Sequence, residues 1–143
     1  MAKQYGFLID ASRCTGCRTC EVACKDKNNL PVGRNFRHVL SFEGSGWRQD
    51  RTTGAWHTDT FAYYVSVSCN HCEDPACVKV CPTKAHFKRN EDGLVLIDRD
   101  KCIGCGMCAK ACPYGAPQLD TVAKKMTKCD SCQDRPAKGL NPV

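Results

Sequence analysis

Apolar residues occur in short segments separated by Gly, Pro and charged residues. No segment approaches the ~20 apolar residues that span a bilayer, and the longest uncharged stretch, Thr60–Cys72, carries two cysteines. His86–Lys88 and Leu94–Asp98 flank a turn rich in Asn, Asp and Gly, which predicts a strand, a turn and a second strand. Gln118–Asp120 and Lys125–Lys128 predict another hairpin more weakly.

Helices are predicted only as segments of one or two turns, at about Cys20–Lys27, Cys77–Val80 and Cys108–Cys112. Helices this short do not persist alone. Leu, Ile, Val and Phe together make up about 17% of the 143 residues, a share at which a chain struggles to fill a core. An ordinary enzyme with a large hydrophobic core is therefore excluded. The 14 cysteines are the candidates for what holds the fold together.

The cysteines fall in four groups with short internal spacings. The groups are Cys14, Cys17, Cys20 and Cys24; Cys69, Cys72, Cys77 and Cys81; Cys102, Cys105, Cys108 and Cys112; and Cys129 and Cys132. The first and third follow C-x2-C-x2-C-x3-C, and Pro follows the second and third groups. This is the bacterial ferredoxin run, in which the fourth cysteine binds a different iron–sulfur cluster from the first three. The run predicts two 4Fe–4S sites with exchanged fourth ligands: Cys69, Cys72, Cys77 and Cys112; and Cys102, Cys105, Cys108 and Cys81.

Zinc and disulfides are the alternative uses of so many cysteines. Zinc sites take two C-x2-C pairs with a longer spacer. A zinc ion bound in this way would leave the third and fourth cysteines of each run without a metal. The N-terminus shows no signal peptide and no twin-arginine pair, which predicts a chain made in the cytoplasm without its own export signal. Cysteines in that compartment favour metal ligation over disulfides.

Internal repeats predict the architecture. Phe7–Cys24 and Val95–Cys112 share Leu-Ile-Asp, a Gly between the first two cysteines and an Ala before the fourth. The repeat predicts an α+β, ferredoxin-like fold of two-cluster modules, with short helices, hairpins and an inserted loop region. We expect an inner two-cluster domain over 61–117 and incomplete outer half-modules over 1–27 and 118–143. The insertion, 28–60, carries both tryptophans and is expected to pack over the core or against a partner.

The formal net charge of +6 is scattered rather than clustered, which argues against nucleic acid as a partner. An oxidised 4Fe–4S site with four thiolates carries a charge of about −2, so the excess of cations resembles counter-charge. Five cations flank the cysteine loops and either form a solvated face or offset cluster charge: Arg13, Arg18, Lys25, Lys101 and Lys110. His71 is expected to support a site or lie at the surface rather than bind metal, and His38, His57 and His86 are assigned no role.

Four segments carry a resemblance to a known family: QYGFLIDASRCTGC at Gln4–Cys17, FAYYVSVSCNHCEDPAC at Phe61–Cys77, CPYGAPQ at Cys112–Gln118 and MTKCDSC at Met126–Cys132. They resemble the four-cluster iron–sulfur subunits of molybdopterin oxidoreductases, the dimethyl sulfoxide reductase family. The resemblance implies nested modules, in which the first motif pairs with the fourth and the second with the third. Because all four positions of the third motif are cysteine, it also implies 4Fe–4S clusters throughout.

The same resemblance implies a subunit without substrate chemistry of its own. Such a subunit relays single electrons in anaerobic respiration from a quinol-oxidising membrane anchor subunit to a molybdopterin catalytic subunit, at the inner membrane but without spanning it. The family continues beyond Val143 with two further cysteines, so we expect a C-terminally truncated chain with two complete cluster sites of the four in an extended one. A free soluble polyferredoxin and a zinc-binding interaction module remain as alternatives.

Overall fold

The computed structural model describes residues 4–143, which include all fourteen cysteines. Within these residues the helices are α1 (Thr19–Lys27), α2 (Ala76–Lys79), α3 (Met107–Ala111) and a 3-10 turn at Pro136–Lys138. The strands are β1 (Arg37–Gly44), β2 (Trp47–Gln49), β3 (Trp56–Thr58), β4 (Phe61–Ser68), β5 (His86–Lys88), β6 (Val95–Ile97), β7 (Gln118–Asp120) and β8 (Lys125–Thr127). They form four two-stranded antiparallel sheets: β1–β4, β2–β3, β5–β6 and β7–β8.

The predicted short elements are confirmed. Each helix lies within one residue of the predicted bounds at both ends, and both predicted hairpins, β5–β6 and β7–β8, are present. The helices are short because each begins or ends where the chain must turn around a cysteine. Gly106, for example, precedes α3 in the left-handed conformation with φ +75°, which glycine adopts without steric cost. No helix within residues 4–143 is long and apolar enough to cross a membrane.

The region predicted as an inserted loop contains regular structure. Its strand β1 pairs along all eight residues with β4, from Arg37 opposite Ser68 to Gly44 opposite Phe61. The pairing therefore connects residues 37–44 of the predicted insertion with residues 61–68, which directly follow the insertion. The sequence analysis missed β1, although Leu40-Ser41-Phe42-Glu43 alternates apolar and polar residues as a strand does. In the structure the apolar members of this alternation, Leu40 and Phe42, are exposed.

The core is small and contains cysteines. Ala85, Cys102, Cys108 and Met126 form a buried cluster, and Ala85 and Met126 are at most 2% exposed. A core of this composition offers little aliphatic surface to stabilise the fold. The elements are thus arranged around thiol groups, as the low content of large aliphatic residues predicts.

Candidate metal centres

Four cysteines from three segments line one small cavity. Cys69 and Cys72 follow β4, Cys77 lies in α2, and Cys112 follows α3; these four are the set predicted from the spacing of the second and third motifs. Burial raises the pKa of the Cys77 thiol, and the neighbouring Cys69, Cys112 and Cys72 raise it further. The thiols face one another across a space with apolar walls that include Pro75.

A second set of thiols lies in the core. Cys102 and Cys108 are buried in the core cluster, and both Cys77 and Cys81 pack against that cluster. Burial raises the pKa of Cys108 to about 11, with smaller contributions from Cys102 and Cys105. The Met126 N–H donates to the Cys102 sulfur at 3.3 Å. Cys81 therefore lies against the core that contains two cysteines of the third motif.

Helices α2 and α3 are arranged in a way that is compatible with the predicted exchange between the two motifs. Cys77 and Cys81 are four residues apart, as are Cys108 and Cys112, so each pair is separated by about one helical turn. The two helices pack against each other. Each helix consequently presents its first cysteine to one set and directs the cysteine that follows its end to the other.

The outer cysteines form two further groups. Cys24, at the end of α1, lies near Cys132: burial raises the pKa of the Cys24 thiol, and Cys132 raises it further. Burial also raises the pKa of the Cys129 thiol to about 11, and Cys69 and Cys24 add smaller contributions in the same direction. The Ser131 N–H donates to the Cys129 sulfur at 3.4 Å. Cys24, Cys129 and Cys132 therefore form a third set, adjacent to the four-thiol cavity.

The first loop, with Cys14, Cys17 and Cys20, rests on the β1–β4 hairpin. Cys20 lies 3.4 Å from the Ser66 hydroxyl. The Thr19 hydroxyl donates a hydrogen bond to the Cys17 sulfur at 3.3 Å. Hydrogen bonding from Thr19 lowers the pKa of this exposed thiol. This group is the most exposed of the four.

Two glycines in the cysteine loops lie so close to other parts of the chain that a side chain would not fit. A Cβ on Gly16, at φ +71°, would lie 2.6 Å from the Tyr64 ring, and one on Gly104, at φ +69°, would lie 2.2 Å from the Lys124 carbonyl oxygen. Glycine at these positions also lets the backbone approach a cluster closely. The structure gives a further reason for glycine here, because each loop lies directly against another part of the chain, at Tyr64 or at Lys124.

The donor set fits iron–sulfur clusters. All fourteen cysteines lie in the described part of the chain, and all are free thiols there. Protein N–H groups already point at sulfurs of Cys102 and Cys129, the arrangement that stabilises the negative charge of cluster ligands. Among residues 4–143, no three His, Cys, Asp or Glu side chains are placed to hold a single metal ion. The cysteines would hold the clusters; no other ligand type is brought to these sets.

The five cations predicted as possible counter-charge lie mainly at the surface. Arg13 pairs with Asp10, Arg18 with Glu21 and Lys101 with Asp98, and the cationic side chains are 62–88% exposed. Lys110 is exposed as well. For these four the solvated-face interpretation is the better one.

Lys25 has a different role. Its ammonium group donates to the Pro31 carbonyl at 2.8 Å, the Arg34 carbonyl at 3.1 Å and the Asn35 side chain at 3.1 Å. It therefore fixes the chain between α1 and β1 rather than a cysteine loop.

Sequence reasoning missed Lys128, the cation buried beside the thiols. It is 7% exposed, and its ammonium group lies 3.6 Å from the Cys69 sulfur. A signal was available: Met126 is buried in β8, and alternation along a strand directs the side chain two residues later to the same side.

Two histidines near the thiols are buried and neutral. His71 accepts a hydrogen bond from the Val95 N–H at 3.0 Å, and burial, with a contribution from Lys128, lowers its pKa to about 4. His71 therefore supports the site instead of lying at the surface. His86, assigned no role from the sequence, is equally buried, and burial lowers its pKa to about 4.

Comparison with protein families identifies the class. A family model described as a 4Fe-4S dicluster domain matches residues 60–143, and a second with the same description matches residues 13–86. The chain is thus a ferredoxin-type protein with two 4Fe–4S dicluster domains and small mixed helix and strand content, which confirms the predicted cofactor.

Individual relatives narrow the class to a family. The chain is 57% identical over 143 residues to the B subunit of anaerobic dimethyl sulfoxide reductase from Escherichia coli K12, and the match covers 100% of this chain and 68% of that protein. It is 52% identical over 141 residues to the B subunit of the same reductase from Haemophilus influenzae, covering 99% and 68%. It is 41% identical over 144 residues to the B subunit of polysulfide reductase from Wolinella succinogenes, covering 100% and 71%. The chain belongs to the family of anaerobic dimethyl sulfoxide reductase B subunits, as the sequence motifs predicted.

Proposed function

We propose that this chain is the electron-transfer subunit of an anaerobic reductase and relays single electrons from a quinol-oxidising membrane subunit to a molybdopterin catalytic subunit. It has no substrate chemistry of its own. The observation that carries the proposal is the cavity where Cys69, Cys72, Cys77 and Cys112 meet. When bound, 4Fe–4S clusters accept and release one electron at a time.

The ligand assignment that we propose follows the four thiol sets. Two sets are complete within the described residues: Cys69, Cys72, Cys77 and Cys112; and Cys81, Cys102, Cys105 and Cys108. Two outer sets contribute three thiols each from the described residues: Cys14, Cys17 and Cys20; and Cys24, Cys129 and Cys132. This assignment gives the nested arrangement, with an inner domain over 61–117, outer segments over 1–27 and 118–143, and the insertion 28–60 between them.

The sets follow one another in a linear order. Helices α2 and α3 join the Cys102 set to the Cys69 set. Lys128 contacts both the Cys69 sulfur and the Cys129 carbonyl, which joins the Cys69 set to the Cys24 set. Helix α1 carries both Cys20 and Cys24 and so joins the third set to the first loop. We propose that electrons pass along this order, with each junction made by one protein element.

The insertion and the neighbouring strand β4 together offer a surface for a partner subunit. Phe42 and Tyr63 stack at 5.1 Å, and Phe61 lies 6.3 Å from Tyr63. These rings are 43–54% exposed, and Trp47 and Trp56 on β2–β3 are 70% and 61% exposed. Contiguous exposed aromatic residues mark protein interfaces. The surface favours a dedicated subunit, peripheral to the inner membrane within a complex, over a free polyferredoxin.

Spectroscopy and iron analysis of anaerobically isolated protein test the cofactor. We expect a brown protein with equal iron and acid-labile sulfide, and EPR signals on reduction. A colourless protein that contains zinc would contradict the proposal.

Co-purification tests the assembly. The double change Phe42→Ser and Tyr63→Ser should release the chain from its large partner, whereas Val122→Ser, which changes an apolar side chain 91% exposed elsewhere, should leave the complex intact. A parent chain isolated with clusters but without any large partner would support the free polyferredoxin instead.

A further inference from the structure

Lys128 is a buried cation whose three N–H donors all find partners. Its ammonium group donates to the Cys129 carbonyl at 2.9 Å, to the Val95 carbonyl, and to the Cys69 sulfur at 3.6 Å. Its side chain also lines the cavity where the four thiols of the Cys69 set meet. Lys128 therefore touches a proposed ligand of one set and the backbone of a proposed ligand of the next.

Lys128 has no carboxylate partner among the described residues, since none of the ion pairs within 4–143 includes it. A buried charge without an opposite charge is strongly unfavourable. Its ammonium group contacts the Cys69 sulfur, and its charge also acts on the Cys77 and Cys129 thiols. As metal ligands these sulfurs are thiolates, so the cluster sites supply the missing counter-charge.

The position of this charge has a consequence for electron transfer. Reduction adds one negative charge to a 4Fe–4S site, and reduction potentials respond to nearby charge, hydrogen bonds to sulfur and solvent exposure. A cation out of contact with water is screened far less than one at the surface. Arg13, Arg18 and Lys101 are exposed and paired with carboxylates, so they exert a weaker effect.

We propose that Lys128 is a positioning residue of the relay that raises the reduction potential of the cluster held by Cys69, Cys72, Cys77 and Cys112. This makes that site an electron acceptor within the series. The proposal rests on the cluster assignment of the proposed function. It assigns a task to a lysine that binds no metal itself.

The test is an EPR-monitored redox titration of the cluster-loaded complex with Lys128→Met, which removes the charge and nearly preserves the volume. At a fixed potential, the reduced-to-oxidised ratio of the cluster held by the Cys69 set should fall at least tenfold. This change is equivalent to a potential lower by about 59 mV for a one-electron couple. Lys110→Met removes the same charge from an exposed position of α3 and should change every ratio less than threefold. If Lys128→Met retains its full iron content and every reduced-to-oxidised ratio stays within twofold of the parent value, the proposal is overturned.

A second measurement on the parent does not depend on how the variant folds. In protein labelled with 15N at the lysine side chains, pulsed EPR of the reduced clusters should show a 15N coupling, because the Lys128 ammonium group contacts the Cys69 sulfur. Absence of any such coupling would also overturn the proposal. A parent without iron–sulfur signals would instead refute the proposed function, so the two failures are distinguishable.

Discussion

Replacement of Gly104 by Ala tests how tightly the third cysteine loop is held. The loop runs from Cys102 to Cys105, and a Cβ at position 104 would lie 2.2 Å from the Lys124 carbonyl oxygen. Carbon and carbonyl oxygen normally stay about 3.3 Å or more apart, so the β7–β8 turn would have to retreat by roughly 1 Å. The carbonyl belongs to the backbone, so a side-chain rotation cannot relieve the contact.

The magnitude has two parts. A non-glycine residue in the left-handed conformation costs about 1–2 kcal/mol, and overpacking costs about 1–3 kcal/mol more. Gly106 supplies a matched control, because its φ is +75° and nothing lies within 4 Å of a Cβ built there. Gly106→Ala should therefore show only the conformational part. The two variants should differ by about 2 kcal/mol, which corresponds to roughly 30-fold in an equilibrium or rate constant.

The assay is the rate at which the visible absorption bleaches at a fixed elevated temperature, with iron analysis before and after. Strain in the loop is released when the loop opens, so it should appear as faster loss of metal. Gly104→Ala should bleach at least tenfold faster than Gly106→Ala and lose the iron of the Cys102 set first. Equal bleaching rates for the two variants would refute the packing argument.

Three other substitutions test the remaining contacts. Cys112→Ser should perturb the cluster of the Cys69 set; an altered EPR signal of the Cys102 set alone would contradict the crossed assignment. Cys102→Ser should leave three good thiol ligands and favour a 3Fe–4S cluster with a raised potential, visible as a new EPR signal in the oxidised protein; unchanged 4Fe–4S signals would count against it. Asp120→Asn should speed bleaching severalfold, because Asp120 pairs with Arg34 at 3.3 Å and Arg99 at 3.2 Å. The Ala123 N–H, with a contribution from Arg34, holds the Asp120 pKa below its usual value, so its stabilisation is present above about pH 4 and lost as the pH falls through the lowered pKa. The ratio of variant to parent rates should therefore stay constant from about pH 5 to pH 8, and a ratio that changes across this range would contradict the prediction.

The short elements were predictable because their signals are local. Cysteine spacing placed α2 and α3 to within one residue, and turn residues placed β5–β6. The exchange of Cys81 and Cys112 between sets follows from the ferredoxin run and stays a prediction, which the cavity shared by Cys69, Cys72, Cys77 and Cys112 supports.

The other features depend on contacts distant in sequence. Strand β1 was missed because the region was interpreted as an insertion, and its pairing partner β4 lies beyond that region. Lys128 was missed although Met126, two residues earlier, is buried. The partners of its ammonium group, Val95 and Cys69, lie 33 and 59 residues away and cannot be read from the local pattern. The residue pattern therefore predicts the metal ligands, whereas the buried charge of Lys128 beside them became visible only in the structure.

Quinol-driven reduction of the intact complex tests the central claim most directly. After a pulse of quinol under anaerobic conditions, freeze-quench EPR records each cluster, and addition of the terminal acceptor follows. The account predicts that every cluster of this chain is reduced by quinol and reoxidised by the acceptor at least as fast as the complex turns over. A cluster set that stays oxidised or stays reduced while turnover continues would contradict a relay in series.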